Sequence, residues 1–206
     1  MGHLEYHYDI VCPYAYLGST QVEALCARVG ASLSWHPLLL GGVFQAIAVD
    51  PMFTTKLNPS KAHHNRSDAL RWAAHLSVDF AWHPGHPVRT VHTMRALLVT
   101  ESPAELVHAF YRAYWVDHRE LNREEVVAQI LNETGFDGKA VIERTRHPEV
   151  KRHLRDVSTK AAGRGIFGAP AMFVGGELYW GQDRLHFVEA ALRRENNLPP
   201  SDLLIA

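Results

Sequence analysis

The sequence predicts a mixed α/β fold in which strands at the two ends of the chain enclose a long helical segment. Residues 1–44 show the pattern of a strand, a helix and a second strand, and residues 165–206 show two strands and a helix. Residues 45–164 show helical patterns only. Because a structureless loop of that length is not expected in a compact domain, we predict a helical subdomain inserted into one α/β domain.

The first strand is predicted from the alternation of apolar and polar residues between Leu4 and Ile10. Pro13 suits the first turn of the helix that follows, because its missing N–H needs no partner there, and Gly30 is placed to end that helix. Alternation returns at residues 32–35 and stops at a proline. Cys12 is therefore expected at the junction between the first strand and the first helix.

Capping signals predict helix starts within the insertion. Ser102 precedes a proline and stands three residues before Glu105, the pattern of a capping box. Asn122 and Glu125 have the same spacing, and Gly135 is placed to end the helix that they begin. We therefore predict helices beginning just after Ser102 and just after Asn122.

The end of the chain predicts a β-hairpin and a last helix. Two short strand-like runs, residues 171–174 and 177–180, are joined by Gly175 and Gly176. Asp183 follows as a candidate N-cap of the helix. This closing unit completes the α/β domain predicted from the first strands.

The composition excludes several classes of protein. The 206 residues are 47% apolar and 21% charged with a formal net charge of -1, which fits a globular chain with a sizeable core and no broad nucleic-acid footprint. The longest apolar stretch, residues 38–44, is far shorter than the roughly 20 residues of a membrane span. The first residues lack a basic segment followed by an apolar one, so we expect a cytoplasmic location without a membrane partner.

The cysteines and histidines do not form a recognisable metal motif. Cys12 and Cys26 have neither a metal nor a redox spacing, so a disulfide framework is not expected. The fourteen histidines include no zinc-binding HExxH arrangement, and we expect solvated surface histidines and no metal. The histidines considered for this purpose are His63, His64, His83, His86 and His92.

Cys12 is the main candidate for chemistry. The N-terminus of a helix offers free N–H groups and a favourable dipole, so we expect the Cys12 thiolate to be stabilised. A small buried residue is the alternative, but the position next to Pro13 favours a functional role. Cys26 lies on the apolar stripe of the helix and is expected to fill the core.

An X–Pro bond is cis in only about 5–6% of cases, so the residues alone favour a trans bond at Ala169–Pro170.

Four segments in this order resemble the family of 2-hydroxychromene-2-carboxylate isomerases and kappa-class glutathione transferases. They are YDIVCPYAYLG at 8–18, LLGGVF at 39–44, GIFGAP at 165–170 and WGQDRL at 180–185. The resemblance spans nearly the whole chain. It implies a thioredoxin-like fold of the DsbA and kappa type, with a large all-helical insertion between residues 45 and 164.

The resemblance also implies a glutathione site and a cis bond at Ala169–Pro170. The Ala169 backbone would pair with the cysteinyl unit of glutathione, and Gln182 and Asp183 would hold the γ-glutamyl end. Lys61 would meet the glycine carboxylate, although a solvated surface lysine explains that residue equally well. The full set of expected site residues is Cys12, which is catalytic, with Pro13, Tyr14, Lys61, Ala169, Pro170, Gln182 and Asp183, which bind glutathione.

The chain departs from the family pattern at two positions. Isomerases and kappa transferases of the family have a serine where this chain has Cys12, and DsbA-type relatives have a second cysteine where it has Ala15. Val49 falls near an asparagine that helps to hold glutathione in kappa enzymes. Cys12 is thus either a substitute for the serine or a single attacking thiol, and efficient dithiol exchange is not expected.

The leading hypothesis is a glutathione-dependent isomerase or transferase that acts on a small, hydrophobic aromatic electrophile. The alternative is a monothiol oxidoreductase in which Cys12 attacks a disulfide and forms a mixed disulfide with glutathione. A third reading is a glutathione- or ligand-binding protein without turnover. Family members are often dimers, so a homodimer is the assembly that the resemblance suggests.

Overall fold

The sheet has four strands and confirms the mixed α/β fold predicted from the sequence. The structure is a computed structural model that describes residues 1–50 and 56–200. The strands are β1 (His3–Tyr8), β2 (Ser32–Pro37), β3 (Ala171–Val174) and β4 (Glu177–Trp180), in the order β2-β1-β3-β4. β1 and β2 are parallel, whereas β3 is antiparallel to both β1 and β4.

Helices connect β2 to β3 and flank the sheet. The helices are α1 (Pro13–Val29), α2 (Leu40–Ala46), α3 (Pro59–Leu76), α4 (Val91–Val99), α5 (Ala104–Trp115), α6 (Glu124–Glu133), α7 (Gly138–Thr145), α8 (Pro148–Gly163) and α9 (Leu185–Glu195). α1 packs against α9, and α8 packs against α2. The exact division into residues 1–44, 45–164 and 165–206 stays a prediction.

The sheet separates two apolar clusters. Leu4, Tyr6 and Tyr8 of β1 are fully buried in the larger cluster, which includes residues of α1, α5 and α9. Ala171 and Phe173 of β3 belong to the smaller cluster on the opposite side. The members of the smaller cluster are Leu38, Val43, Ala161, Ile166, Ala171 and Phe173. β1 is thus covered on both sides near its C-terminal end, where His7 is buried, whereas Glu5 is half-buried and His3 is exposed.

Two predicted helix starts are shifted in the structure. Pro103 is the N-cap of α5, and Ser102 has a φ of 52° and donates its hydroxyl to the Leu97 carbonyl at 3.1 Å. The Ser102 hydroxyl therefore satisfies a free carbonyl group at the end of α4 and does not cap α5. The N-cap of α6 is Arg123, so the prediction for Asn122 is also wrong. Gly135 follows the C-cap of α6 with a φ of 85°, as predicted.

Gly18 allows α1 to approach β1 and the segment after β4. A Cβ atom at this position would lie 2.5 Å from the Tyr6 hydroxyl and 3.3 Å from the Cβ atom of Gln182. Tyr6 cannot move away easily, because it is fully buried and donates its hydroxyl to the Ala15 carbonyl at 2.7 Å. The close packing of α1 at Gly18 therefore fixes the position of its first turn.

We predict that Gly18→Ala destabilises the protein by about 1–3 kcal/mol, the usual range for overpacking a core. Urea denaturation measures the change. Gly163→Ala is the matched control, because a Cβ atom at the end of α8 would meet no heavy atom within 4 Å. We expect the free energy of unfolding of this control to equal that of the wild type or to exceed it by up to about 1 kcal/mol, because alanine has a higher helix propensity than glycine. Equal stability of the two variants would contradict the close packing at Gly18.

Candidate active site

Cys12 is the N-cap of α1, as predicted, and Pro13 is the first residue of the helix. The backbone N–H of Cys12 donates to the Asp9 carbonyl at 3.0 Å, which fixes the turn between β1 and α1. The thiol is 8% exposed, and its Sγ donates to the Ala169 carbonyl oxygen at 3.1 Å. This contact joins the start of α1 to the loop that precedes β3.

Asp9 is a buried acid close to Cys12 that its place in the sequence pattern did not indicate. Its carboxylate accepts hydrogen bonds from the Leu40 N–H and the Thr90 hydroxyl, both at 3.0 Å, and from the Val11 N–H at 3.3 Å. The residue is only 1% exposed, and burial raises the pKa of the carboxyl group in spite of these donors. The alternation of β1 placed Asp9 on the polar face, and it gave no sign that α2 and α4 bury that face.

The expectation of a stabilised Cys12 thiolate is wrong for this structure. Burial raises the pKa of the thiol to about 12, and the nearby Asp9 carboxylate adds to the increase. Hydrogen bonds from the backbone of Ala15 and Tyr14 act in the opposite direction but do not outweigh burial. Cys12 is therefore a neutral thiol at pH 7, and its chemistry is that of a hydrogen-bond donor.

Tyr14 links the first turn of α1 to the helical insertion. Its hydroxyl donates to the Asp68 carboxylate on α3 at 2.9 Å. Burial and the Asp68 carboxylate raise the pKa of Tyr14, and the negative charge of Asp183 contributes a smaller increase. The phenol thus stays protonated near neutral pH. Sequence reasoning did not find Asp68, because nothing in its helical pattern indicates a partner on α1.

The bond between Ala169 and Pro170 is cis, as the family resemblance implied. The loop is held against β4, since the Gly181 N–H donates to the Pro170 carbonyl at 3.0 Å. A Cβ atom at Gly168 would lie 2.7 Å from Nε1 of Trp180, so a larger residue there would require the Trp180 ring to move. The loop therefore presents the Ala169 carbonyl to Cys12 from a fixed position.

Gln182 and Asp183 lie in a 3-10 turn, Gln182–Arg184, between β4 and α9. Gln182 is buried against α1, and the Asp183 side chain is 38% exposed and forms an ion pair with Arg184. The N-cap of α9 is Arg184, so the prediction that Asp183 caps the helix is wrong. The turn nevertheless brings Asp183 close enough to Tyr14 to raise its pKa.

Lys61 and Val49 lie at the edge of this arrangement. Lys61 is exposed in the first turn of α3, and its backbone N–H donates to the Asn58 side chain at 2.8 Å. Lys61 stands seven residues before Asp68, on the same helix face and about 10 Å away along the axis. Val49 is 38% exposed beyond the end of α2. The other predicted site residues lie at the start of α1, on the cis-proline loop and in the turn before α9, whereas Lys61 lies on α3.

The histidines are only in part the solvated residues that the sequence predicted. His63 and His64 are exposed on α3. His83 is 5% exposed and stacks on Tyr114 at a ring distance of 4.6 Å, and His86 Nδ1 lies 3.1 Å from the Tyr114 hydroxyl. These two histidines are packing residues of the helical insertion.

The fold and the site define a thioredoxin-fold protein that has one cysteine at the start of its first helix and a cis-proline loop facing it. The chain belongs to the family of DSBA-like thioredoxin domains, whose profile matches residues 3–193. This confirms the DsbA-like fold class and superfamily that the sequence resemblance implied.

Individual relatives agree with this assignment. The 2-hydroxychromene-2-carboxylate isomerase of Sphingobium xenophagum is 28% identical over 193 residues, covering 92% of this chain and 97% of the relative. A solved 2-hydroxychromene-2-carboxylate isomerase has a TM-score of 0.81 at 20% identity and covers 96% of this chain and 99% of its own. The cytosolic disulfide reductase DsbM of Pseudomonas aeruginosa, solved with GSH, has a TM-score of 0.65 at 19% identity, with coverages of 95% and 100%.

Among the helices that the structure describes, none combines the length and the apolar character that crossing a membrane requires.

We predict that Cys12 reacts slowly with iodoacetamide at neutral pH and that its rate still rises about tenfold per pH unit above about pH 8.5, where an ordinary thiol levels off. The reason is the raised pKa, which leaves little thiolate until the pH approaches that value. Peptide mapping of the alkylated chain separates Cys12 from Cys26. The urea-unfolded chain is the control and should level off just above about pH 8.5, the ordinary thiol pKa. A plateau for folded Cys12 at that same pH would contradict the effect of burial.

Proposed function

We propose that this protein is a glutathione-dependent isomerase that acts on a small aromatic electrophile, in the manner of the 2-hydroxychromene-2-carboxylate isomerases that it resembles over most of its length. The contact that carries the proposal is the 3.1 Å hydrogen bond from the Cys12 thiol to the Ala169 carbonyl. It places a donor at the start of α1 beside the strand-like backbone that would receive the tripeptide.

The protonated state of Cys12 suits the role that the family gives to serine. Burial raises the pKa of its thiol to about 12, so Cys12 keeps its proton and can donate a hydrogen bond to a bound thiolate. Donors of this kind stabilise an anion most effectively where water is excluded. Cys12 would thus lower the pKa of the glutathione thiol without itself being consumed.

The surrounding residues are suited to the rest of the tripeptide. Backbone groups of Ala169 would pair with the cysteinyl unit, which requires that Cys12 exchange its bond to the Ala169 carbonyl for one to the glutathione sulfur. The half-exposed Asp183 carboxylate would pair with the α-ammonium group of the γ-glutamyl end. Gln182 would contribute its amide to the same end, and the exposed Lys61 is suited to the glycine carboxylate.

Bound glutathione would supply a thiolate that adds reversibly to a conjugated carbon, so that a former double bond can rotate before the thiolate leaves. Tyr14 and Asp68 join α1 to α3 across the site and would hold the insertion over the substrate. No residue of the protein is oxidised or reduced in this isomerisation. Cys12 would act by holding the sulfur, and Ala15 stands where a dithiol step would need a second cysteine.

We predict that Cys12→Ser retains isomerase activity, because a hydroxyl donates to the thiolate as the thiol does. Cys12→Ala should lose about 100-fold in kcat/KM, the usual effect of removing one donor to a reacting anion. The assay follows a 2-hydroxychromene-2-carboxylate with and without glutathione, and Cys26→Ser is the matched control for a thiol in the core. Full loss of turnover in Cys12→Ser, with glutathione binding intact, would contradict the proposal that Cys12 holds the glutathione sulfur.

A monothiol oxidoreductase is the second candidate. Two observations favour it: Cys12 occupies the position of an attacking thiol at the start of α1, and DsbM, a structural neighbour, is described as a disulfide reductase. The raised pKa of Cys12 argues against rapid attack, because the thiolate is the nucleophile.

Intact mass after incubation with oxidised glutathione separates the two candidates. Under the isomerase proposal we expect no glutathione adduct on the folded chain at pH 7. The controls are Cys12→Ser, which cannot form the adduct at this position, and the unfolded chain, which should react. Rapid formation of a single adduct that maps to Cys12 would favour the oxidoreductase instead.

A further inference from the structure

Glu5, His7 and His36 form a cluster on the face of the sheet opposite α1. Glu5 and His7 alternate with the buried tyrosines of β1, and His36 stands directly opposite His7 in the parallel pairing of β1 with β2. The two imidazole rings stack with centroids 4.7 Å apart. One ligand atom from each of the three residues lies within 4.8 Å of the other two.

We propose that Glu5, His7 and His36 form a binding site for a divalent transition-metal ion of the zinc type. Zn–N and Zn–O bonds are about 2.0–2.2 Å, so two ligands of one ion lie at most about 4 Å apart. The three ligand atoms would have to move closer by about 1 Å. Because the two imidazole planes differ by only 18°, one of the stacked rings would also have to rotate so that both ring nitrogens face the ion. Two imidazoles and one carboxylate suit zinc, nickel or copper better than magnesium or calcium.

The surroundings of His36 orient it for this role. Its Nε2 atom lies 2.7 Å from the Ser34 hydroxyl, and that hydroxyl lies 2.8 Å from His3 Nε2. With Nε2–H donating to Ser34, the Nδ1 atom of His36 is left to bind the ion. Metal-binding histidines commonly have such a partner on their second nitrogen, because it fixes both the tautomer and the ring orientation.

A cleft of about 420 Å³ opens beside the two histidines and gives an ion a route to the cluster. Water from this cleft would complete the coordination, since three protein ligands leave at least one position open. His153 and Lys160 of α8 also line the cleft. The Lys160 ammonium group opposes a cation there, which limits the affinity.

Arg164 is the main competitor for the site. Its guanidinium group donates to both oxygens of Glu5, at 2.6 and 3.0 Å, and lies 3.8 Å above the ring of Phe173. A metal ion would have to share or displace this resident cation. Because the guanidinium competes with the ion for Glu5, its removal should strengthen metal binding.

Zinc titration of the untagged, reduced full-length chain, followed by calorimetry, tests the proposal. We expect one zinc ion to bind per chain and His36→Asn to weaken the affinity by about tenfold or more. Arg164→Gln should strengthen it by about tenfold, because it frees the Glu5 carboxylate and removes a positive charge. His153→Asn is the matched control and should change nothing, since this residue lines the same cleft outside the cluster.

Cobalt provides a second measurement that does not depend on the folding of a variant. A bound Co²⁺ ion should show ligand-field bands without the intense thiolate charge-transfer band that binding at Cys12 would give. The proposal is overturned if the wild-type chain binds neither ion, if His36→Asn binds zinc as tightly as the wild type does, or if Cys12→Ser abolishes binding.

Discussion

The buried carboxylate of Asp9 is the interaction on which the arrangement of the site depends. It accepts hydrogen bonds from the Leu40 N–H at the start of α2 and from the Thr90 hydroxyl at the N-cap of α4. A buried charge is costly unless it is hydrogen-bonded, so these donors cannot move away without leaving the carboxylate unsatisfied. One side chain just after β1 thus positions the starts of α2 and α4 relative to the sheet. Trp115 strengthens the same junction, because its indole N–H donates to the Ile10 carbonyl at 2.9 Å.

The same constraint determines the state of Cys12. The start of a helix favours a thiolate, but the packing that holds α1 in place also removes water from the sulfur, and the Asp9 carboxylate is nearby. The balance leaves a protonated thiol that already donates to the Ala169 carbonyl. A serine at this position would have the same donor function with an even higher pKa. A cysteine and a serine at this position would therefore donate the same hydrogen bond.

Local patterns predicted the elements, and tertiary contacts decided the details. The alternation of β1, the glycine turn of the hairpin and the ends of α1 and α6 were predictable because each depends on neighbouring residues. The role of Ser102 was not, since its hydroxyl serves the end of α4 instead of the start of α5. Asp183 was misplaced for a similar reason: a 3-10 turn precedes α9 and moves the cap to Arg184. The burial of Asp9 needed three elements that meet only in the folded chain.

One face of β1 is apolar and the other is polar. This short strand therefore contributes both to the polar cluster of Glu5 and His7 and, through the turn after it, to the anchor of the Cys12 site. Tyr6 and Tyr8 fill the apolar face completely, so polar groups on this strand can point only to the other side, where Glu5, His7 and Asp9 succeed one another. Each of the three is satisfied by a different element: Glu5 by Arg164 after α8, His7 by Glu5 beside it, and Asp9 by the starts of α2 and α4. Alternation alone would have assigned all three to solvent. The ion pair of Glu5 with Arg164 requires the chain to return through α8 to this face, whereas the burial of Asp9 depends on α2 and α4. A polar cluster and the anchor of the Cys12 site thus lie on the same six-residue strand and its final turn.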